Sequence, residues 1–261
     1  MATPADYDCF AIDLDGVMWL GVEPIPGSAD AVAAIRASGR AAIFVTNDPR
    51  STRREFAERL TGIGVEAGPD AVLSVGSATA ELLARDRPGA SVLVIGTASL
   101  VSELEAAGLE VVPARAGGRA DVVIVGGGPG FDYESLRIAS RAVRAGAELW
   151  ATGRDPTYPA ADGLEPGTGA LVAAVETASG VRARSIGKPE PGLFEAAVAH
   201  LGGRRPAMIG DSLDSDVAGA VRAGIGAILV LTGRSSRAEL ERAEPAPDLV
   251  FDDLAAVAAA L

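Results

Sequence analysis

Two aspartates in the stretch AIDLDGVMW, Asp13 and Asp15, lie two residues apart with Gly16 directly behind them. Side chains of an extended chain alternate with a period of two, so both carboxylates would face one side. Gly16 permits a tight turn immediately after them. Further along stand Thr46 and Asn47 in FVTN, Lys188 in IGKPEPG, and Asp211 and Asp216 in GDSLDSD. An aspartate has an unperturbed pKa of about 3.9, so at neutral pH it is already a nucleophile. Clustered carboxylates suit Mg²⁺, which prefers oxygen ligands and retains waters for a phosphate. Attack on a phosphate dianion is opposed by charge repulsion. Mg²⁺ and a lysine offset that repulsion, while a threonine hydroxyl and backbone N–H groups hold the equatorial oxygens. Phosphoryl transfer is the chemistry these residue types can perform together.

They can do so only if the fold brings them to one place. Short β-branched runs alternate with helical segments along the whole chain, which predicts an α/β fold with a doubly wound, mostly parallel sheet. Strands are expected at CFAID (9–13), AAIFVTN (41–47), AVLSV (71–75), AMIGD (207–211), AILVL (227–231) and DLVF (248–251). Further strands are expected in SVLVIG, DVVIVGG and ELWAT. Helices are expected at 28–39, with Ser28 as cap, and at 52–64, 191–202 and 216–224, with a short one in the tail DDLAAVAAAL. Asp13, Thr46, Asn47 and Asp211 then fall at the C-terminal ends of strands, the rim where ligands bind in open parallel sheets. Lys188 precedes a helix start marked by Pro and Glu. Singly, each polar residue has an ordinary explanation as a turn former or helix cap. Turn chemistry does not explain three acids, a hydroxyl, an amide and a lysine on one edge.

Composition sharpens the lysine. Lys188 is the chain's only lysine beside 22 arginines, Asn47 its only asparagine, and glutamine is absent. GC-rich coding or the loss of thermolabile amides would each produce this bias. Against that background an ammonium retained at one position points to a need for a compact point charge, where a guanidinium's larger rigid fork would demand another geometry. The formal charge of −12 over 261 residues, with a sequence pI near 4.6, argues against nucleic acid or an anionic membrane as partner. No run of 18 apolar residues and no basic leader is present. A single cysteine, Cys9, excludes an internal disulfide, and a single histidine, His200, argues against Ser-His-Asp chemistry. A soluble, cytoplasmic protein is expected, its oligomeric state left open and a homo-oligomer allowed.

DLDGV, VTN, the GKP lysine and GDSLDSD resemble, in order, the four motifs of the haloacid dehalogenase superfamily. EPIPG (23–27), DPTYP (155–159), PGTGALVAAVETASG (166–180) and VLTG (230–233) extend the resemblance over nearly the whole chain. They are similar to the branch of nitrophenyl, nucleotide, pyridoxal, phosphoglycolate and glycerol phosphatases. That branch implies a hydrolase core, here 1–76 and 183–261, with a smaller α/β cap inserted at 77–182. It implies a Mg²⁺-dependent phosphatase acting on a small phosphorylated metabolite. Asp13 would be the nucleophile that forms an aspartyl-phosphate, and Asp15 the acid that protonates the leaving oxygen and then activates water. The Asp13 side chain, the Asp15 carbonyl and Asp211 would hold the metal, with Asp216 supporting them. Thr46 and Lys188 would bind phosphate, with Asn47 beside them.

Three positions depart from that pattern. Asp48 stands where the branch usually has a second asparagine, Gly153 in ATGRD replaces an amide, and VGGGPG (125–130) lacks an acid the branch often shows. All fall where the leaving group would be recognised. The cap loop GRDPTY, leading into the turn PAADGLEPG, makes Arg154 and Asp155 candidates for touching it; pairing with each other, or capping a turn, is their ordinary alternative. VIVGGGPGF fails the dinucleotide-binding pattern because Phe131 occupies the third glycine position. A receiver-like phospho-accepting domain shares the acids, hydroxyl and lysine but is usually about 120 residues without a cap. A non-catalytic phosphate-binding protein is the other alternative, against which all four motifs are intact. A dehalogenase would not need Asp15.

Overall fold

A computed structural model describes residues 2–113, 119–160 and 163–261 of the chain. Ala161 and Asp162 of the expected PAADGLEPG turn lie outside the described residues. In chain order the strands are β1 (Cys9–Asp13), β2 (Trp19–Leu20), β3 (Glu23–Pro24), β4 (Ala41–Thr46) and β5 (Val72–Ser74). They continue with β6 (Ser91–Ile95), β7 (Glu110–Val112), β8 (Val122–Val125), β9 (Glu148–Ala151), β10 (Thr157–Ala160), β11 (Gly163–Pro166) and β12 (Arg184–Ser185). The last are β13 (Pro206–Gly210), β14 (Gly226–Val230) and β15 (Leu249–Phe251). Between them run α1 (Ser28–Ala37), α2 (Arg53–Gly62), α3 (Val75–Asp86), α4 (Ala98–Ala106) and α5 (Tyr133–Arg144). Then come α6 (Thr168–Ser179), α7 (Pro191–Leu201), α8 (Ala218–Arg222), α9 (Arg237–Leu240) and α10 (Leu254–Ala259).

The chain divides into two compact units. The first comprises Met1–Thr46, Arg53–Leu73 and Lys188–Leu261, and the second Asn47–Thr52 and Ser74–Gly187. The short loop at 47–52 groups with the second unit, which nothing in its composition announces. In the first unit a six-stranded sheet has the order β15-β14-β13-β1-β4-β5. β1 is buried along its whole length and pairs in parallel with β4 on one side and β13 on the other. Its continuous apolar run is what a central parallel strand requires, since both faces are covered by helices. Phe10, Ile12, Phe44, Ile209 and Ile228 pack with Val32 and Ile35 of α1, Phe56 and Leu60 of α2, and Leu254 and Val257 of α10. The second unit has its own parallel sheet, ordered β12-β9-β8-β6-β7. Leu93, Val123, Val125 and Leu149 of that sheet pack on Val143 of α5 and Val172 and Val175 of α6. An antiparallel hairpin, β10–β11, precedes α6, where the sequence suggested only a loop and turn.

Two expected helix starts differ in detail. Ser28 does not cap α1: Gly27, left-handed at φ 79°, takes that place, and the Ser28 hydroxyl donates to the Met18 carbonyl at 3.3 Å. The helix expected from 216 begins as a wide π turn over Leu213–Val217 and becomes α-helical only at Ala218. His200 lies in the last turn of α7, which Gly202 ends at φ 63°, as an ordinary helix-end residue. No helix among the described residues is long and apolar enough to cross a membrane.

Candidate active site

The strand registers of the first unit bring the expected residues to one edge. Asp13 is the last residue of β1 and pairs with Val45, so Thr46 stands one residue beyond it on β4. Ile12 pairs with Ile209, which sets Asp211 just past the end of β13 on the other side. Into this edge the Lys188 side chain, 3 % exposed, places its Nζ 2.8 Å from Asp13 Oδ1 and 2.7 Å from Asp216 Oδ1. Burial alone would favour the neutral amine, but the two carboxylates override it and push the ammonium pKa up. The opening left for a cation is a slot between two carboxylate oxygens, which fits an ammonium.

Every carboxylate in the cluster is oriented by backbone. Asp13 Oδ1 also accepts from the Leu14 N–H at 2.8 Å, which leaves Oδ2 without a hydrogen bond among the described residues. Asp216 Oδ2 accepts from the N–H groups of Asp211 (3.1 Å) and Ser212 (3.0 Å), and this reach back across the loop is what opens the π turn. Asp211 Oδ2 accepts from the Arg234 N–H at 2.5 Å, on the loop that follows β14. The same loop ties down the turn after β1, because the Thr232 hydroxyl donates to the Gly16 carbonyl at 2.5 Å. A Cβ on Gly16 would lie 2.2 Å from Asp211 Oδ2, and one on Gly233 only 1.9 Å from it. A Cβ on Gly210 would lie 2.3 Å from the Asp216 carboxyl carbon. The acids sit where side chains have been cleared away. Gly16 drew attention in the sequence for its turn; Gly233 and Gly210 did not, and the VLTG stretch was the available signal for the first of these.

Carboxylate oxygens of Asp13, Asp211 and Asp216 lie within 4.8 Å of one another, and all three residues are buried. Burial, with Asp216 beside it, pushes the Asp211 pKa up to about 6. Burial also raises that of Asp13 well above the usual range, with Lys188 opposing and the two neighbouring acids adding to the rise. With all three ionised, three carboxylates against one ammonium would leave two negative charges uncompensated, and it is this excess, with burial, that raises the pKa values. A divalent cation with hard-oxygen preference supplies the missing charge, so these residues fit Mg²⁺.

The raised pKa values carry a sign. The folded protein binds protons at Asp13 and Asp211 more tightly than the unfolded chain, so this stabilisation is full below about pH 4. The Asp211 part is lost as pH rises through about 6, and the Asp13 part as pH rises through that group's own raised pKa. Asp8 and Asp121, held by backbone N–H groups that lower their pKa values, act in the opposite direction. The discriminating quantity is therefore the melting shift caused by Mg²⁺. We expect a Tm increase at pH 7, corresponding to about 2–3 kcal/mol at a hundredfold excess over Kd, and little at pH 4.5. Calorimetry at the two pH values, with EDTA or Mg²⁺, checks this; an equal shift at both would contradict the charge argument.

The other expected residues are placed as follows. Thr46 is buried, 1 % exposed. Asp15 is exposed on the turn after β1 and accepts from Trp19 Nε1 at 2.9 Å. Asn47, Asp48, Arg154 and Asp155 belong to the second unit. There the Asn47 side-chain oxygen lies against Gly187, and Asp48 is gripped by the Arg50 guanidinium at 2.8 Å through both oxygens. Asp155 gives its backbone carbonyl to the Gly169 N–H at 2.9 Å, at the start of α6. Arg154, expected to read the leaving group, donates to Glu176 Oε1 and to the Ala183 carbonyl, both at 2.8 Å. This joins the loop after β9 to α6, a role that sequence spacing did not reveal. Arg154→Ala should accordingly lower kcat/KM equally for polyol and nitrophenyl phosphates. With the side chain a third exposed, the stability loss should be about 1 kcal/mol. A loss confined to one substrate would support the recognition role.

Cys9 is buried, and burial together with Asp8 pushes its thiol up to about 12, so it is chemically quiet.

Comparison with known proteins agrees with this geometry. The family model described as haloacid dehalogenase-like hydrolase matches residues 10–110, and the model described as HAD-hydrolase-like matches 185–257. D-glycerol 3-phosphate phosphatase of Mycobacterium tuberculosis is 39% identical over 252 residues, covering 95% of this chain and 70% of that protein. The chain belongs to the haloacid dehalogenase-like hydrolases. Within these hydrolases, acid sugar phosphatase of Staphylococcus aureus strain USA300 is 33% identical over 95% of both chains. The solved p-nitrophenyl phosphatase from Archaeoglobus fulgidus superposes with a TM-score of 0.91 at 35% identity, covering 98% of this chain and 99% of that one. Glycerol phosphate phosphatase from M. tuberculosis, solved in complex with magnesium, has a TM-score of 0.90 at 38% identity, with 98% and 78% covered. As a haloacid dehalogenase-like hydrolase this protein is a Mg²⁺-dependent phosphatase of small phosphate monoesters, working through an aspartyl-phosphate.

Proposed function

We propose that Asp13 is the nucleophile, Asp15 the acid and base, and a small polyol or sugar phosphate the substrate. The observation that carries the first assignment is the buried pairing of Asp13 Oδ1 with Lys188 and the Leu14 N–H, which fixes the carboxylate and assigns Oδ2 the role of attacking oxygen. Oδ2 bonds to phosphorus as the ester P–O bond breaks, and Asp15 gives its proton to the departing alkoxide. Asp15, now a carboxylate, takes a proton from the water that attacks the aspartyl-phosphate, and inorganic phosphate and free Asp13 result. Lys188 holds the nucleophile's orientation and lowers the repulsion between carboxylate and phosphate, while Thr46 and Asn47 bind phosphoryl oxygens. Asp13, Asp211 and the Asp15 carbonyl would hold Mg²⁺, which when bound neutralises phosphoryl charge. Asp216 orients Lys188 and the Asp211 backbone.

The substrate class rests on the relatives, named for glycerol phosphate and acid sugar phosphates. Phosphorylated metabolites of this kind, together with the acidic surface charge, support a cytoplasmic site of action. We further propose that the second unit is the cap and selects the alcohol. A phosphate-release screen over glycerol, sugar, nucleotide, glycolate and pyridoxal phosphates, with Mg²⁺ or EDTA, tests the reading. The expected result is Mg²⁺-dependent multiple turnover with polyol or sugar phosphates preferred. Release of a single phosphate per chain would instead favour a phospho-accepting domain.

A further inference from the structure

We propose that Trp19 is a positioning residue for the reaction, holding the Asp15 carboxylate in the orientation needed to exchange a proton with the leaving oxygen and with water. The inference rests on the assignment of Asp15 as acid and base.

Asp15 poses a problem that Asp13 does not. It is exposed, on a turn rather than in the sheet, so packing does not fix its rotamer as burial fixes that of Asp13. Acid–base catalysis requires the carboxyl within hydrogen-bond reach of its proton partner, and a misplacement of 1 Å can cost about 10²-fold. Trp19 Nε1 donates to Asp15 Oδ1 at 2.9 Å. An indole N–H is a donor only, so it engages one carboxyl oxygen whatever the protonation state of the acid. The bond is the same whether Asp15 is giving or taking a proton.

The indole is itself fixed. Trp19 is wholly buried, 0 % exposed, although it directly precedes the exposed Leu20 of the small β2–β3 hairpin. The Arg59 guanidinium from α2 lies 3.7 Å from its ring centroid and also donates to the Gly21 carbonyl. On the backbone, the Gly16 N–H donates to the Trp19 carbonyl at 2.7 Å and the Met18 N–H to the Leu14 carbonyl at 2.8 Å, closing the turn between nucleophile and tryptophan. A wholly buried aromatic whose one polar atom points at an exposed acid has a use beyond packing. Packing alone would be satisfied by phenylalanine.

The test compares leaving groups. Nitrophenolate departs with little help from an acid, whereas a glycerol alkoxide must be protonated as it leaves. Trp19→Phe, and a variant carrying benzothienylalanine at position 19, which keeps the bicyclic shape but lacks the N–H, are assayed with Mg²⁺ on glycerol 3-phosphate and 4-nitrophenyl phosphate beside Asp15→Asn. The expected result is a fall in kcat for glycerol phosphate of about tenfold to 10²-fold, with KM little changed. For nitrophenyl phosphate the fall should be less than about threefold. Equal losses on both substrates, or none in the benzothienyl variant, would overturn the proposal and leave Trp19 a packing residue. Wild-type kcat of Asp15→Asn on glycerol phosphate would overturn the underlying assignment as well. An inactive Asp15→Asn beside an undiminished benzothienyl variant overturns this inference alone.

Discussion

Lys188→Arg is expected to lower kcat/KM by about 10²–10³-fold although the charge is kept, a loss comparable to removing one pre-organised donor from a reaction site. The side chain is 3 % exposed, and its single nitrogen stands 2.8 Å from Asp13 and 2.7 Å from Asp216. A guanidinium spreads its charge over a plane and cannot occupy a slot between two oxygens that a tetrahedral ammonium fills. Forcing it in displaces the Asp13 carboxylate or the Asp216 contacts to the Asp211 and Ser212 N–H groups. Because the site is buried, overpacking should also cost about 1–3 kcal/mol of stability. Steady-state kinetics and calorimetry on Lys188→Arg and on the neutral Lys188→Met check both effects. An arginine enzyme as active as wild type would mean that only net charge matters at this position, and the close geometry would be incidental.

Asp13→Asn is expected to remove turnover almost entirely, by about 10⁴-fold or more, as loss of a covalent nucleophile does in other hydrolases. The amide is nearly the same shape, and it deletes one of three buried carboxylates from a cluster with excess negative charge. The folded state should thus persist, with a metal-free Tm at or above that of wild type at pH 7, where burial had made the Asp13 charge costly. Acid-quenched reactions with a labelled phosphate ester should trap a phosphoprotein in the wild type and none in the variant. Full activity in Asp13→Asn would remove the aspartyl-phosphate from this residue.

What could be read ahead of the structure was the part that depends on local periodicity. β1, β4 and β13 are uninterrupted apolar runs, and a polar residue directly after each run fixed Asp13, Thr46 and Asp211 at the strand ends. The rarity of lysine drew attention to Lys188 without any geometry. Features set by partners far along the chain were not legible. Gly233 matters because Asp211, more than twenty residues earlier, lies against it. Arg154 is claimed by Glu176 on α6 and by the Ala183 carbonyl, so its charge serves the second unit's packing. The π turn at Leu213–Val217 exists because the Asp216 side chain reaches back to two backbone amides, a competition that helix propensity does not register. Trp19 is not singled out by the sequence, since nothing there shows that its N–H meets Asp15 four residues earlier.

A lysine that is both single and locked changes how the protein can be handled. Acylating reagents attack the unprotonated amine, and the only lysine amine in this chain is walled off and held as an ammonium by two carboxylates. An activated-ester dye or a bead-coupling chemistry applied to the native protein therefore meets no reactive lysine. Unfolding the chain exposes that amine, so acylation of Lys188 would read out opening of the catalytic edge directly.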